Sequence, residues 1–300
     1  MIRVEKVSYA GWDNCLKITA GATAAIVTLD VGPRIISYSF AGKENVFCEV
    51  EEQKGKKGGD EWVIYGGHRL WHSPECKPRT YQPDNAPVQY EIKADRLILR
   101  QKIEPWTMIR KEVEISDVEG QESLEIKHRL INEGAWEAEL AVWALTVMKA
   151  GGVEIIPQVS KETGLLPNRM VALWPYTKMN DSRVTWGDRY IVLKQDKTAQ
   201  TPFKIGLSNE DGWAAYINGG TMFVKSYKHI INAAYPDYAS SYETYTNNYM
   251  VEMESLSPLI RLLPGAAVEH TEKWRLFGNV DLPQTEDEIE RQILPLITRL

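Results

Sequence analysis

Apolar and polar side chains alternate with a period of two along much of this 300-residue chain. In the run from Arg34 to Phe40, the side chains of Ile36, Tyr38 and Phe40 share one face. Leu97 and Leu99 alternate with Arg96, Ile98 and Arg100, and Val113 and Ile115 with Glu112 and Glu114. Leu124, Ile126, His128 and Leu130 oppose Glu125, Lys127 and Arg129. Successive side chains of a strand point to opposite faces, so this alternation predicts half-buried antiparallel strands. Leu140 to Val147 is apolar at nearly every position, which predicts a central strand covered on both faces. Further strands are expected at 24–29, 189–194, 203–207, 213–217, 221–227, 249–254 and 271–277. Gly32-Pro33, Asn132-Glu133-Gly134, Gly151-Gly152, Asn218-Gly219-Gly220 and Pro264-Gly265 punctuate the runs as turns.

Many short strands with such punctuation predict a large, mainly β, antiparallel sandwich. Only the tail is helical in pattern. Thr285-Glu286-Asp287-Glu288 fits a capping box, and Ile289, Ile293, Leu296 and Ile297 follow at helical spacing, with Pro295 bending or shortening the helix. We therefore expect one sandwich domain over 1–280 and a short C-terminal helix over 281–300 packed on it. The glycine- and lysine-rich segment 51–60 is too polar to pack and is expected as a loop.

Composition narrows the function. The chain holds 10 Trp and 14 Tyr against 5 Phe, so amphipathic rings dominate, as suits wet aromatic surfaces and also strands. A net charge of −6, with Lys and Arg scattered, leaves no footprint for nucleic-acid binding. Three cysteines without CxxC spacing argue against a disulfide framework or zinc knuckle. No segment approaches the ~20 apolar residues of a membrane span. The charged N-terminal run MIRVEKVSYAGWDN is no signal peptide, so a soluble cytoplasmic protein is expected.

The candidate chemistry gathers in two stretches. Tyr65-Gly66-Gly67-His68-Arg69-Leu70-Trp71-His72-Ser73-Pro74-Glu75 packs two histidines, an arginine, a tryptophan and a carboxylate behind a glycine pair. Burying these groups would require a partner for each, which points to a concave polar surface for a polyhydroxylated ligand. His68, His72 and Glu75 have metal-like spacing on a helix, but Pro74 and the glycines favour a loop, so no metal is expected. In the second stretch, around Tyr245 to Leu259, an extended 249–254 projects Glu252 and Glu254 from one face, ~7 Å apart. Tyr235-Pro236-Asp237-Tyr238, Glu243 and Tyr245 are candidates for a wall of the same cleft. His128 is expected in the core, His229 at the surface, and His270 and Glu272 in structural or rim positions.

VEMESLSPLIRLLPGAAVEHTEKWRLF, VTLDVGPRIISYSFAGKENVF and YGGHRLWHSPE together resemble the galactose mutarotase-like (aldose 1-epimerase) superfamily, over most of residues 14–278. The resemblance implies a β-supersandwich, a carbohydrate ligand and, in the enzymes, anomer interconversion without a cofactor. It matches Glu252 to the general base and Arg69 to the arginine that holds sugar hydroxyls. The family's acid histidine on a central strand has no counterpart in AELAVWALTVMKAGGVEIIPQ, where Trp143 stands instead. An acid would then come from His68 or His72, with Arg69, Trp71, Glu75, Glu254, Trp143, Tyr235, Asp237 and Tyr245 holding the sugar. Three functions stay open: an epimerase-type enzyme using Glu/His acid–base chemistry, a non-catalytic sugar-binding module, and a carbohydrate lyase or hydrolase. The expected partner is a small carbohydrate, with the protein a monomer or homodimer.

Overall fold

The computed structural model describes residues 2–118 and 123–298. Its strands form two antiparallel sheets stacked face to face. In the first, Arg3–Tyr9, Trp12–Ala20, Thr23–Thr28 and Arg34–Phe40 make a meander. The sheet continues through His68–Ser73, Ala138–Lys149, Met250–Leu256, Tyr242–Thr246 and Phe203–Leu207 to Val171–Leu173. The second sheet runs from Val184–Trp186 through Tyr190–Lys194, Val153–Pro157, Trp213–Asn218 and Thr221–Tyr227. It ends with Ala267–Gly278, Ser123–Asn132, Ile109–Asp117, Arg96–Arg100 and Gln89–Ile92.

The alternating runs place their apolar faces between the sheets, where Tyr38, Phe47, Phe223 and Trp274 pack in edge-to-face and tilted contacts at ring separations of 5.4 to 6.1 Å. Leu140 to Val147 is buried on both faces, as its unbroken apolar pattern predicts.

The tail is helical from Glu286 to Thr298. Thr285 caps it by accepting from the Glu288 N–H at 3.2 Å, while the Glu288 side chain reaches the Gln284 N–H at 2.7 Å. Residues Ile289–Ile293 form a wider π turn, with the Leu294 N–H donating to the Ile289 carbonyl. Pro295 cannot donate to the carbonyl four residues back and its ring crowds that group, so the widening falls where the proline requires it. Ile289, Ile293 and Ile297 pack on Ile155, Trp213, Ile217 and Val224 of the second sheet.

One expectation is corrected. The segment behind the glycine pair is not a loop: His68–Ser73 is a fully buried strand near the middle of the first sheet. Arg34–Phe40 flanks it on one side and Ala138–Lys149 on the other. The glycines are what let it enter. A Cβ on Gly66 would lie 2.1 Å from the Cys48 carbonyl oxygen, and one on Gly67 would lie 2.3 Å from that of Ile35. Both residues also hold positive φ, 103° and 67°.

Candidate functional site

Because this segment is a strand, its six side chains divide between two faces. His68, Leu70 and His72 point into the space between the sheets. Arg69, Trp71 and Ser73 point to the outer face.

On the inner face the titratable groups lie against polar neighbours, although neither ring nitrogen of His72 has a hydrogen-bond partner. His128 Nδ1 lies 3.0 Å from the His270 carbonyl, so Nδ1 carries its proton and Nε2 accepts. His68 Nε2, 2.7 Å away, is therefore the donor, and His68 Nδ1 accepts from the Thr146 hydroxyl at 2.8 Å. Burial pushes His68 far below the usual histidine range and lowers His128 as well, so both are neutral. Glu272 receives the Trp274 indole N–H at 2.7 Å, the Ser255 hydroxyl and the Lys225 ammonium. Lys225 gives its other protons to the carbonyls of Ala144 and Met253. His68, His128 and Glu272 offer ligand atoms within 4.8 Å of one another. The donor set does not suit a metal, however: both ring nitrogens already pair with each other, and Lys225 supplies the positive charge beside the carboxylate. His72 lies 3.4 Å from Glu104 Oε2, and burial lowers its pKa. Burial would raise Glu104, but Lys111 and His72 hold its carboxyl down at about 2.

The two histidines therefore do not share a face with Glu252, and the expected arrangement of an imidazole opposite that carboxylate is absent. The reason is the period of two. Arg69 and Trp71 take the outer face, so His68 and His72 must take the other.

The outer face gathers most of the remaining candidates. Cross-strand register sets Arg69 opposite Leu145, Leu145 opposite Glu254, and Glu254 opposite Glu243. One step along, Val147 faces Glu252, Glu252 faces Tyr245, and Tyr245 faces Lys204. Arg69 Nη1 meets Glu252 Oε1 at 2.7 Å, and its guanidinium lies against the indoles of Trp71, at 4.5 Å, and Trp62, at 5.3 Å. Trp143 packs against Trp71 at 5.4 Å and donates its indole N–H to Glu254 Oε2 at 2.9 Å. Trp143 thus closes the floor and fixes a carboxylate.

Four further residues completing this face, Lys204, Trp62, Trp174 and Tyr176, went unread in the sequence. The Lys204 ammonium is buried between the indoles of Trp143 and Trp174, 4.7 Å from each ring centre. It holds Glu243 at 2.8 Å and Glu254 at 2.9 Å. Tyr176 sits edge-on to Tyr245, and Tyr81 packs on Trp62 and Trp71. Glu75 lies exposed at the rim, accepting a hydrogen bond from the Tyr81 hydroxyl. Asp237 reaches the Ser73 hydroxyl at 3.4 Å from a turn in which Asp237, Tyr238 and Ala239 all have positive φ, 49° to 72°. Three non-glycine residues in that conformation cost roughly 1–2 kcal/mol each, so the turn is held by its surroundings. Tyr235 is not part of the face; it stacks on the half-buried His229 and accepts from the Ile230 N–H.

Among the buried polar atoms here, Arg69 Nε, Trp62 Nε1, Glu254 Oε1 and both carboxylate oxygens of Glu243 have no hydrogen-bond partner, although Glu243 Oε2 lies 2.8 Å from the Lys204 ammonium. Glu252 keeps 7% of its surface exposed beside them. Donors and acceptors thus stand together among aromatic rings. By contrast, a cavity of about 740 Å³ opens between the sheets at the Lys149 end of its strand, and its charged groups Lys43, Glu44, Lys149 and Lys197 are all solvent-exposed.

No family model matches the sequence and no curated protein matches it. Solved structures do. The Slr1438 protein from Synechocystis sp. PCC 6803 superposes with a TM-score of 0.59 at 10% identity, covering 93% of this chain and 100% of that one. A candidate aldose 1-epimerase from Klebsiella pneumoniae gives 0.58 at 13% identity, over 93% and 83%. A galactose mutarotase-like protein from Lactobacillus casei gives 0.52 at 11% identity, over 88% and 100%. The chain has the galactose mutarotase-like fold. The two mutarotase-like sheets, stacked as expected from the alternation, carry the cluster on the outer face of the first. Among the described residues no helix is long and apolar enough to cross a membrane.

Proposed function

We propose that the Arg69–Glu252 face is a carbohydrate site. The observation that carries this reading is the set of unpartnered buried atoms, Arg69 Nε, Trp62 Nε1 and Glu254 Oε1, beside the partly open Glu252 carboxylate. Buried polar atoms are normally paired, and leaving one unpaired costs about 1–3 kcal/mol. A ligand that both donates and accepts at several points, and stacks an apolar ring face on Trp or Tyr, removes these costs together. A sugar is such a ligand. The mutarotase-like fold supports the same class.

Within that class, epimerase-type chemistry is the leading reading. Glu252, oriented by Arg69, would take the proton from an anomeric hydroxyl. The donor to the ring oxygen would be a group other than His68 or His72, because both belong to the core. A non-catalytic sugar-binding module is the second reading, favoured by the absence of an imidazole from this face. Hydrolysis or elimination across a glycosidic bond has less support, since Glu252 and Glu254 project from one strand and do not flank a bond.

Two measurements separate these readings. A thermal-shift screen against neutral sugars detects binding, since a ligand specific for the folded state raises the transition by mass action. Polarimetry on freshly dissolved sugar then detects anomer exchange. Binding with acceleration supports the enzyme, binding without acceleration supports the module, and no binding by any sugar rejects the site.

A further inference from the structure

Ring opening needs a proton donor on the same face as Glu252. Arg69 cannot serve, because a guanidinium is not a proton-transfer acid and this one is held on Glu252 at 2.7 Å. Lys204 is pinned between two carboxylates that hold it well above the usual lysine range despite its burial, so it too keeps its protons. Counting charges leaves another group. Glu252 is paired with Arg69, while Glu243 and Glu254 both contact the single Lys204 ammonium, at 2.8 and 2.9 Å. Glu243 and Glu254 are completely buried. One positive charge compensates one carboxylate, and a second, uncompensated carboxylate at this depth would cost several kcal/mol.

We infer that the Glu243–Glu254 pair, bridged by Lys204, shares one proton at neutral pH and donates it to the ring oxygen of a sugar whose anomeric hydroxyl faces Glu252. The inference rests on the carbohydrate reading above. Register supports it: Glu243 lies directly across from Glu254, and Glu254 is two residues from Glu252 on the same strand face, ~7 Å along it. The unpartnered Glu254 Oε1 is an atom of this pair. Burial raises both carboxyls, Glu243 strongly, and Lys204 opposes the rise in each. The other groups facing the pair are Asp237 beside Glu243, Glu252 and Arg69 beside Glu254, and Tyr176 on the outer side. Glu154 and Lys225 face it from between the sheets. The two carboxyls titrate as one unit.

The step balances without a cofactor. Glu252 takes the proton of the anomeric hydroxyl, and the freed electron pair forms the C1=O1 bond. The bond from C1 to the ring oxygen breaks, and the ring oxygen takes the proton from the carboxyl pair. After the aldehyde turns about its bond to C2, closure runs the transfers backwards, restoring Glu252 and the pair.

Infrared difference spectroscopy tests the stored proton without reference to activity. Glu154→Gln serves as the background, because Glu154 is itself raised to about 7. In that background a protonated carboxyl is expected at pH 7 and is expected to vanish with either Glu243→Gln or Glu254→Gln. Both changes keep side-chain shape and remove the surplus negative charge. If no protonated carboxyl disappears with either change, the proposal is overturned. NMR exchange of sugar anomers is the second readout: each variant should still bind sugar but lose ~100-fold or more of its rate. Sugar binding with an undiminished rate in both variants overturns the acid assignment and leaves the sugar site standing. Failure of wild-type protein to bind any sugar overturns the site, and the assignment with it.

Discussion

Replacing Lys204 with methionine isolates the electrostatic core of this face. Methionine fills a similar volume between Trp143 and Trp174 but leaves Glu243 and Glu254 without the ammonium now 2.8 and 2.9 Å away. Breaking a buried ion pair from one side costs about 3–5 kcal/mol. Two indoles also lose a cation at 4.7 Å, and each such contact is worth about 0.5–2 kcal/mol, partly recovered by thioether–ring contact. The sum, about 4–6 kcal/mol, is a large part of a typical stability of about 5–15 kcal/mol. The sign of the pH dependence follows from the raised carboxyls. A carboxyl whose folded pKa lies above its unfolded value gives stability that is intact below about pH 4.3 and lost as pH rises through the folded value. Losing Lys204 raises both further, so the penalty should be small near pH 5 and full at pH 8. Urea unfolding followed by tryptophan fluorescence at the two pH values measures it. Adding Glu243→Gln and Glu254→Gln should restore most of the loss at pH 8, since no buried charge then lacks a partner. A loss below about 1 kcal/mol at pH 8, or an equal loss at both pH values, would show that Lys204 does not hold the carboxylates as described.

Other changes probe different layers. Glu154 accepts from the Tyr242 hydroxyl at 2.6 Å and the Thr244 hydroxyl at 2.5 Å, and burial raises it to about 7. Glu154→Gln should therefore gain about 2 kcal/mol relative to wild type between pH 5.5 and 8.5 in urea unfolding, and a constant difference would mean that Glu154 does not titrate there. Gly67→Ala should cost about 3 kcal/mol or more, because its Cβ would meet the Ile35 carbonyl at 2.3 Å; a loss under about 1 kcal/mol by the same assay contradicts that packing. With Arg69 and Lys204 both committed to glutamates, neither buried cation is free to pair with a ligand anion, so sugar phosphates and uronic acids should give no thermal shift at concentrations where the best neutral sugar does. A stronger shift from the anionic sugar would refute that charge balance.

Strands showed in the sequence wherever one face was apolar and the other wet, as in Leu124 to Leu130. The His68–Ser73 strand did not show, because what permits its burial is far away in the chain. Arg69 and its carboxylate are 183 residues apart, and His68 and His128 are 60 apart. A dense set of titratable side chains therefore resembled a wet loop until those partners were in place. Glu252 and Glu254 were legible as a same-face pair because spacing of two in a strand is local information. Lys204 was not: one lysine between Phe203 and Ile205 has the pattern of an ordinary half-exposed strand, and only the fold brings Trp174 and two glutamates around it. The roles of the histidines were misread for a related reason. Residue type suggested acid–base chemistry, but which face of the strand they occupy decides what they touch.

The central claim is that a sugar binds over Arg69 and Glu252. Its most direct test is a crystal structure of the protein with the neutral sugar that gives the largest thermal shift. The account predicts a sugar ring on the outer face of the first sheet, hydrogen-bonded to Glu252 and Arg69 and bordered by Trp62 and Tyr245. A sugar lodged instead in the cavity near Lys149, with the Arg69–Glu252 face empty, would contradict it.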